Sequence, residues 1–282
     1  MTPAHIPSLT LSNSVSIPQL GFGTYKVDPV NAQRVVECAL EVGYRHIDTA
    51  QMYGNEREVG RAVAASGLSR DDVFITTKLD NPYHRPADAR DAFARSLDAL
   101  GVERVDLFLI HWPLPTLYGG DFVSTWRVLE DIYDRGQARA IGVSNFLTHH
   151  LRTLIEATDI VPHVNQVESH PHHQCPELHE FHRQHGIVTE AWSPLARGRV
   201  LDDPTLVAIA EECGKTPAQV ALRWAIQRGD VVFPKSTHRE RMEANLALFD
   251  FSLTDDQMTR ISAIDRGEDG RSGSHPDTMD RL

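Results

Sequence analysis

Eight short β-type runs, each followed by a stretch of helical periodicity or a long loop, constrain this chain more than any other feature. The runs fall at 19–25, 45–48, 72–78, 105–111, 138–145, 163–168, 187–192 and 231–235. Helical patterns lie between them at 29–41, 56–65, 87–100, 122–135, 148–157, 176–185 and 217–228. Parallel strands cannot be joined by a hairpin, so alternation of this kind calls for a parallel sheet with helical crossovers. The run Val105-Asp106-Leu107-Phe108-Leu109-Ile110 is almost wholly apolar, as a strand covered on both faces must be. Eight strand–helix units predict a closed α/β barrel, the (β/α)8 or TIM barrel, and 282 residues is a suitable length for one. No linker interrupts the pattern, so residues 1–282 are expected to form a single domain. Leu9–Leu11 and 15–17 about Asn13 read as an N-terminal β-hairpin capping the barrel bottom. The stretch 266–282 reads as an irregular C-terminal tail.

Composition narrows the partners. A net charge of −11 disfavours nucleic acid and anionic membrane surfaces. No apolar run is long enough to span a membrane, and the first seven residues have no signal-peptide pattern. Cys38, Cys175 and Cys213 are too few for a disulfide framework and none sits in a C-x-x-C pair. A cytoplasmic monomer is expected.

Barrel active sites lie at the C-terminal ends of the strands. Those ends carry Asp48, Lys78 and His111, and Tyr53 follows Asp48 in a loop that returns over the mouth. The set suits proton donation to a carbonyl oxygen. A phenol is a poor acid near neutral pH, a neighbouring ammonium from Lys78 should lower its pKa, and Asp48 would hold that ammonium in place. His111 can orient the substrate oxygen. These groups supply a proton and no electrons, so reduction would need a hydride cofactor. Gly21-Phe22-Gly23-Thr24 lacks the third glycine of a dinucleotide fingerprint, which leaves the late barrel loops as the cofactor's seat.

At three places the sequence resembles the aldo-keto reductases. Gly43-Tyr44-Arg45-His46-Ile47-Asp48-Thr49-Ala50, with Tyr53-Gly54-Asn55-Glu56, is similar to the family's first signature. Ala140-Ile141-Gly142-Val143-Ser144-Asn145-Phe146 resembles the second, and Pro234-Lys235-Ser236 with Arg241 and Asn245 the third. Trp192 and the tail Asp269-Gly270-Arg271 look most like the bacterial 2,5-diketo-gluconate reductase branch. The resemblance implies NADPH/NADP+ as cofactor and a small carbonyl compound as substrate. It makes Tyr53 the general acid, supported by Asp48, Lys78 and His111. It gives the nicotinamide carboxamide to Ser144, Asn145 and Gln166, with Trp192 stacked on the ring. It assigns the pyrophosphate path to Ser193 and Leu195 beside Gly23 and Thr24. Lys235, Ser236 and Arg241 would take the 2′-phosphate, and Asn245 the adenine.

Asp80 stands where many members carry an aromatic pocket wall, Phe233 replaces an aliphatic residue, and Ala244 stands where Glu or Gln often contacts adenine. The substrate is expected between Tyr25, Tyr53, His111 and Trp112, with Asp80 on the wall and Arg271 and His275 of the tail closing over it. Two other readings compete. A non-catalytic NADP(H)-binding regulatory subunit would keep the fold and the cofactor without turnover. A metal-dependent hydrolase would use the histidines between His170 and His185, but His179, His182 and His185 are expected on a solvated outer helix face, His170 in the loop after the sixth strand, and no metal is expected.

Overall fold

The computed structural model describes residues 6–282; residues 1–5, part of the segment read above for a leader, lie outside it. The chain opens with a hairpin, β1 (Ser8–Thr10) against β2 (Ser16–Pro18), in antiparallel register Leu9 opposite Ile17. Eight strands then form one sheet in sequential order: β3 (Phe22–Gly23), β4 (His46–Asp48), β5 (Phe74–Leu79), β6 (Val105–Ile110), β7 (Ala138–Ser144), β8 (Val164–Glu168), β9 (Val188–Trp192) and β10 (Val231–Val232). Every neighbouring pair is parallel. A parallel bridge between Leu20 and Val232 closes the cylinder, with Gly21 N–H donating to Val232 O and Val232 N–H to Gln19 O.

The helices follow from local signals. In α1 (Pro29–Val42) the Asp28 side chain accepts from Val30 N–H ahead of a proline in the first turn, and in α8 (Pro217–Gln227) Thr216 and Gln219 form a capping box. The crossovers α2 (Glu56–Ala65), α3 (Pro86–Leu100), α4 (Phe122–Asp134), α5 (Thr148–Ala157) and α6 (Pro176–His185) lie within one residue of their expected bounds. Three further helices lie outside the expected set: α7 (Pro204–Cys213), α9 (Arg239–Leu246) and α10 (Asp255–Ser262). The stripe in α9 is short, with Met242, Asn245 and Leu246 buried, so periodicity alone does not disclose it. The strands expected at 19–25 and 231–235 shrink to two residues each. Pro234 has no N–H to donate to a ladder.

Two apolar layers hold the fold. The outer one lies between the helices and the sheet. The inner one fills the barrel with Phe74, Leu107, Leu109, Ala140, Val164, Val231 and Phe233, and Leu11 and Ile17 of the hairpin plug it from below. At Gly142 a Cβ would stand 2.5 Å from Val164 O and 2.8 Å from Leu109 Cδ2, so the β7–β8 approach at mid-barrel demands glycine there. No described helix is long and apolar enough to cross a membrane.

Candidate active site

The apolar filling stops below the C-terminal ends of the strands, where the inward positions turn polar. The inward end of β4 is Asp48 and that of β5 is Lys78, both buried. Lys78 Nζ lies 2.8 and 2.9 Å from the two Asp48 carboxylate oxygens and donates to Thr49 O at 2.9 Å. It reaches Tyr53 Oη at 3.5 Å. Burial is the largest single influence and works to neutralise Lys78, but Asp48, Tyr53 and Glu190 together outweigh it and hold the ammonium above its ordinary range.

Tyr53 reaches this pair because the chain after β4 makes a single 3-10 turn, Gln51–Tyr53, ended by Gly54 at φ 66°. Gln51 pins the turn from behind, donating to Ala92 O and Ser96 Oγ and accepting from Asp80 N–H. Asn55 ties it to the first loop by donating to Thr24 O and Val27 O, each at 3.1 Å. The Tyr53 pKa is pushed up to about 12 by burial, against the opposing pull of Lys78. The expected depression of the phenol is therefore corrected. Excluding water from the ring costs the phenolate more than the ammonium returns, and the side chain holds its proton throughout the neutral range. His111 is driven well below its ordinary pKa by burial and by Lys78, so its imidazole is neutral.

A cleft of about 560 Å³ opens above these groups. Among the expected site residues it is lined by Tyr53, Asp48 and His111, by Gly23, Ser144, Asn145, Gln166, Trp192, Ser193, Leu195, Lys235 and Arg241, and by Tyr25 and Trp112. Lys78 stands directly beneath, behind Asp48. Asn145 sits at φ 64° and Ser193 at φ 50°, strained values of the kind that collect at ligand sites. Asn145 donates to His111 O at 2.9 Å and accepts from Trp192 Nε1 at 2.8 Å, which fixes the indole against the mouth.

Other expected residues are elsewhere. Thr24 is buried behind the wall, its hydroxyl donating to Asp48 O at 3.0 Å. Ser236 hydrogen-bonds the backbone of His238, and Asn245 is buried in α9; neither lines the cleft. Asp80 is corrected: its carboxylate caps the next 3-10 turn by accepting from Asn81 N–H at 2.8 Å and does not line the cleft. The tail is corrected as well. Arg271 is paired with Glu268 at 2.7 Å, and neither it nor His275 lines the cleft. The backbone N–H groups of Ser272 and Gly273 dock on buried Glu168 at 2.7 and 2.8 Å, and further along the tail Met279 packs with Trp112 and Leu114. Lys26, Met52 and Arg197 line the cleft without having been singled out in the sequence. The 3-10 turn and the φ of 57° at Arg197 that carry two of them there have no periodic signature.

Of the helix histidines expected on a solvated face, His185 is exposed and His179 half-buried, but His182 is turned inwards. His182 is buried and bridges Asn165 of β8 and Thr189 of β9 at 2.9 and 2.8 Å, and burial pushes its pKa down to about 3. His172 pairs with Asp203 at 2.8 Å, His170 with Glu168 at 3.1 Å, and His173 with Gly267 O at 2.7 Å. Their ring nitrogens tie loops together. Among the described residues, the group able to gather ligand atoms is His149, His150 and Asp277. There, His150 Nδ1 accepts from Leu147 N–H at 3.1 Å, so the neutral ring carries its proton on Nε2, towards Asp277, and offers a metal no lone pair.

Comparison with known proteins supplies the class. The family model described as the aldo/keto reductase family matches residues 19–266, and the chain belongs to that family. It is 47% identical over 273 residues to an aldo-keto reductase of Mycolicibacterium smegmatis, covering 97% of this chain and 98% of that protein. Among solved structures it is similar to Gox0644 in its apo form, at 40% identity and a TM-score of 0.94 over 98% of this chain and all of that one. A point mutant of Gox0644, solved in complex with NADPH, has 39% identity and the same TM-score over 98% and 100% of the two chains.

Proposed function

We propose that this protein is an NADP-dependent oxidoreductase that reduces small, neutral carbonyl compounds to alcohols within a single chain, with Tyr53 as proton donor. The observation that carries the reading is the buried Asp48–Lys78 pair in contact with Tyr53, at the floor of a cleft that also exposes His111. The NADPH complex of the Gox0644 mutant supports the cofactor. When bound, NADPH supplies the hydride that the protein's own residues lack. In this reading Ser144, Asn145 and Gln166 hold the carboxamide while Trp192 flanks the ring. Lys26 and Arg197 join Ser193 and Leu195 along the diphosphate, and Lys235 and Arg241 take the 2′-phosphate.

The protein's part in the reaction is proton transfer and charge stabilisation. Neutral His111 donates a hydrogen bond to the carbonyl oxygen and orients it. Tyr53, fully protonated at neutral pH, transfers its proton as charge builds on that oxygen. The Lys78 ammonium, held by Asp48, stabilises the phenolate left behind. The intact donor set favours a working enzyme over a non-catalytic regulatory subunit, and measurable turnover decides between them. Three unpaired thiols, Cys38, Cys175 and Cys213, suit a reducing cytoplasm.

The substrate end is walled by Tyr25, Met52 and Trp112, and neither Asp80, which caps a turn, nor Arg271, which is paired, lines it. Small aldehydes and vicinal dicarbonyls fit such walls better than acids. Steady-state kinetics with NADPH decide it: methylglyoxal should show the higher kcat/KM against pyruvate, a keto-acid of similar size. A preference for pyruvate would overturn the substrate assignment, and no turnover with either would overturn the enzyme.

A further inference from the structure

One buried carboxyl at the barrel mouth has no part in that proton transfer. Glu190, in the middle of β9, points into the barrel and is fully buried. It stands in register with Gln166 on β8 and Val231 on β10. Its Oε2 accepts from Gln166 Nε2 at 2.7 Å, and its Oε1 has no hydrogen-bond partner. The same Gln166 nitrogen donates to Asp48 Oδ2 at 2.8 Å. An amide nitrogen has two hydrogens, and here both are taken by carboxyl oxygens. Turning the amide over would set its carbonyl oxygen against two acceptors in a dry interior, so only one orientation is stable.

We propose that Glu190 is a positioning residue for Gln166, taking one amide N–H while Asp48 takes the other, so that the Gln166 carbonyl oxygen is held towards the cleft to accept from the nicotinamide carboxamide. This rests on the cofactor seat proposed above. Asp48 alone could not do it: an amide anchored through one hydrogen still rotates about its last bond, and Asp48 is already engaged on both oxygens by Lys78. Glu190 therefore links cofactor recognition to the same buried network that serves the proton donor.

The groups facing Glu190 give the arrangement a pH signature. Asp48 faces it from β4, as does His46, whose Nε2 is 4.0 Å from Oε1; Lys78 faces it from β5 and Gln166 from β8. Burial holds His46 down to about 4, so that ring is neutral and contributes no counter-charge. Burial and Asp48 together push Glu190 up to about 8, with Gln166 and Lys78 opposing. The carboxyl is thus neutral at pH 7 and ionised above pH 8, and the Gln166 amide must register the change.

The test compares Glu190→Gln, which can still offer an oxygen to Gln166, with Glu190→Val, which cannot. NADPH affinity is measured by fluorescence titration, and the Gln166 side-chain amide is followed by NMR in the cofactor-free protein from pH 6.5 to 9.5. We expect NADPH to bind Glu190→Val roughly fivefold to tenfold more weakly. Glu190→Gln should stay within about twofold of wild type. The Gln166 amide of wild type should titrate near pH 8, and that titration should vanish in Glu190→Gln. Wild-type affinity in Glu190→Val overturns the proposal. So does equal weakening in both variants, or a Gln166 titration that persists without Glu190. If Glu190→Val does not fold, the titration decides alone, its loss supporting the proposal and its persistence refuting it. A wild-type protein whose Gln166 titrates but which binds no NADPH counts against the cofactor seat and leaves the hold of Glu190 on Gln166 standing.

Discussion

On the side of the mouth built by β4 and β5, the charges are matched before any ligand arrives. Lys78 has three oxygen partners within 2.9 Å, and Asp48 accepts from Lys78 and Gln166. Around β3 and β10 the opposite holds. Among the described residues Lys26, Arg197, Lys235 and Arg241 face the same cleft and take part in no ion pair, although Arg239, two residues before Arg241, is paired with both Glu41 and Glu243. The difference separates two tasks. Groups that act on a developing charge must be oriented in advance, because reorganising them during reaction costs rate. Groups that bind a polyanion are better left unneutralised, because an internal carboxylate would compete with it.

The comparison breaks most easily on the preorganised side. Tyr53→Phe removes the proton and keeps the ring, so kcat for methylglyoxal should fall by about 10²–10⁴-fold while NADPH affinity changes little. Lys78→Met should approach the same loss, because the phenolate then has no counter-charge. Retention of most activity in either variant would show that the matched charges are structural only.

The unpaired side is tested by cofactor discrimination. Lys235→Ala or Arg241→Ala should weaken NADPH by about tenfold to a hundredfold, since a hydrogen bond to a charged group contributes roughly 1.5–3 kcal/mol. NADH, which lacks the 2′-phosphate, should bind both variants as it binds wild type. Equal losses for the two cofactors would move the phosphate site elsewhere.

Preorganisation also carries a stability cost that pH exposes. Glu190 is held up to about 8 and Asp230, buried just before β10, to about 7. In each case the native state binds protons that the unfolded chain has released, so stability falls as pH rises from the ordinary carboxylate range towards those values. Thermal denaturation should show Tm declining between about pH 5 and 8, and Glu190→Gln should flatten part of the decline. A variant curve parallel to that of wild type would place the Glu190 pKa near its ordinary value.

Asp80→Ala should matter least. Removing the cap costs about 1 kcal/mol or less, and the methylglyoxal-to-pyruvate ratio should move by less than about twofold. A larger change in the ratio would mean that the carboxylate reaches the substrate after all.

The barrel was legible because its signals are local. Alternating strand-type and helical runs predicted β4 to β9 and their crossovers to within a few residues, and a strand end names its inward residue at once. The 3-10 turns escaped because they have no period, and α9 escaped because its buried stripe is too short to register.

What the chain determined by itself is therefore its order of elements, the family it resembles and the presence of Asp48, Lys78 and His111 at neighbouring strand ends with Tyr53 in the loop after the first of them. Tertiary structure decided how those groups behave. Burial reversed the expected shift of Tyr53, whereas the contacts that engage Asp80 and Arg271 are local ones, to Asn81 N–H and to Glu268, that carry no periodic signal. Tertiary structure also brought Glu190, which carries no motif, to the nitrogen that Gln166 shares with Asp48. Residue identity is written locally, whereas desolvation and pairing depend on which distant segments close over a side chain. Those quantities exist only once the barrel has formed.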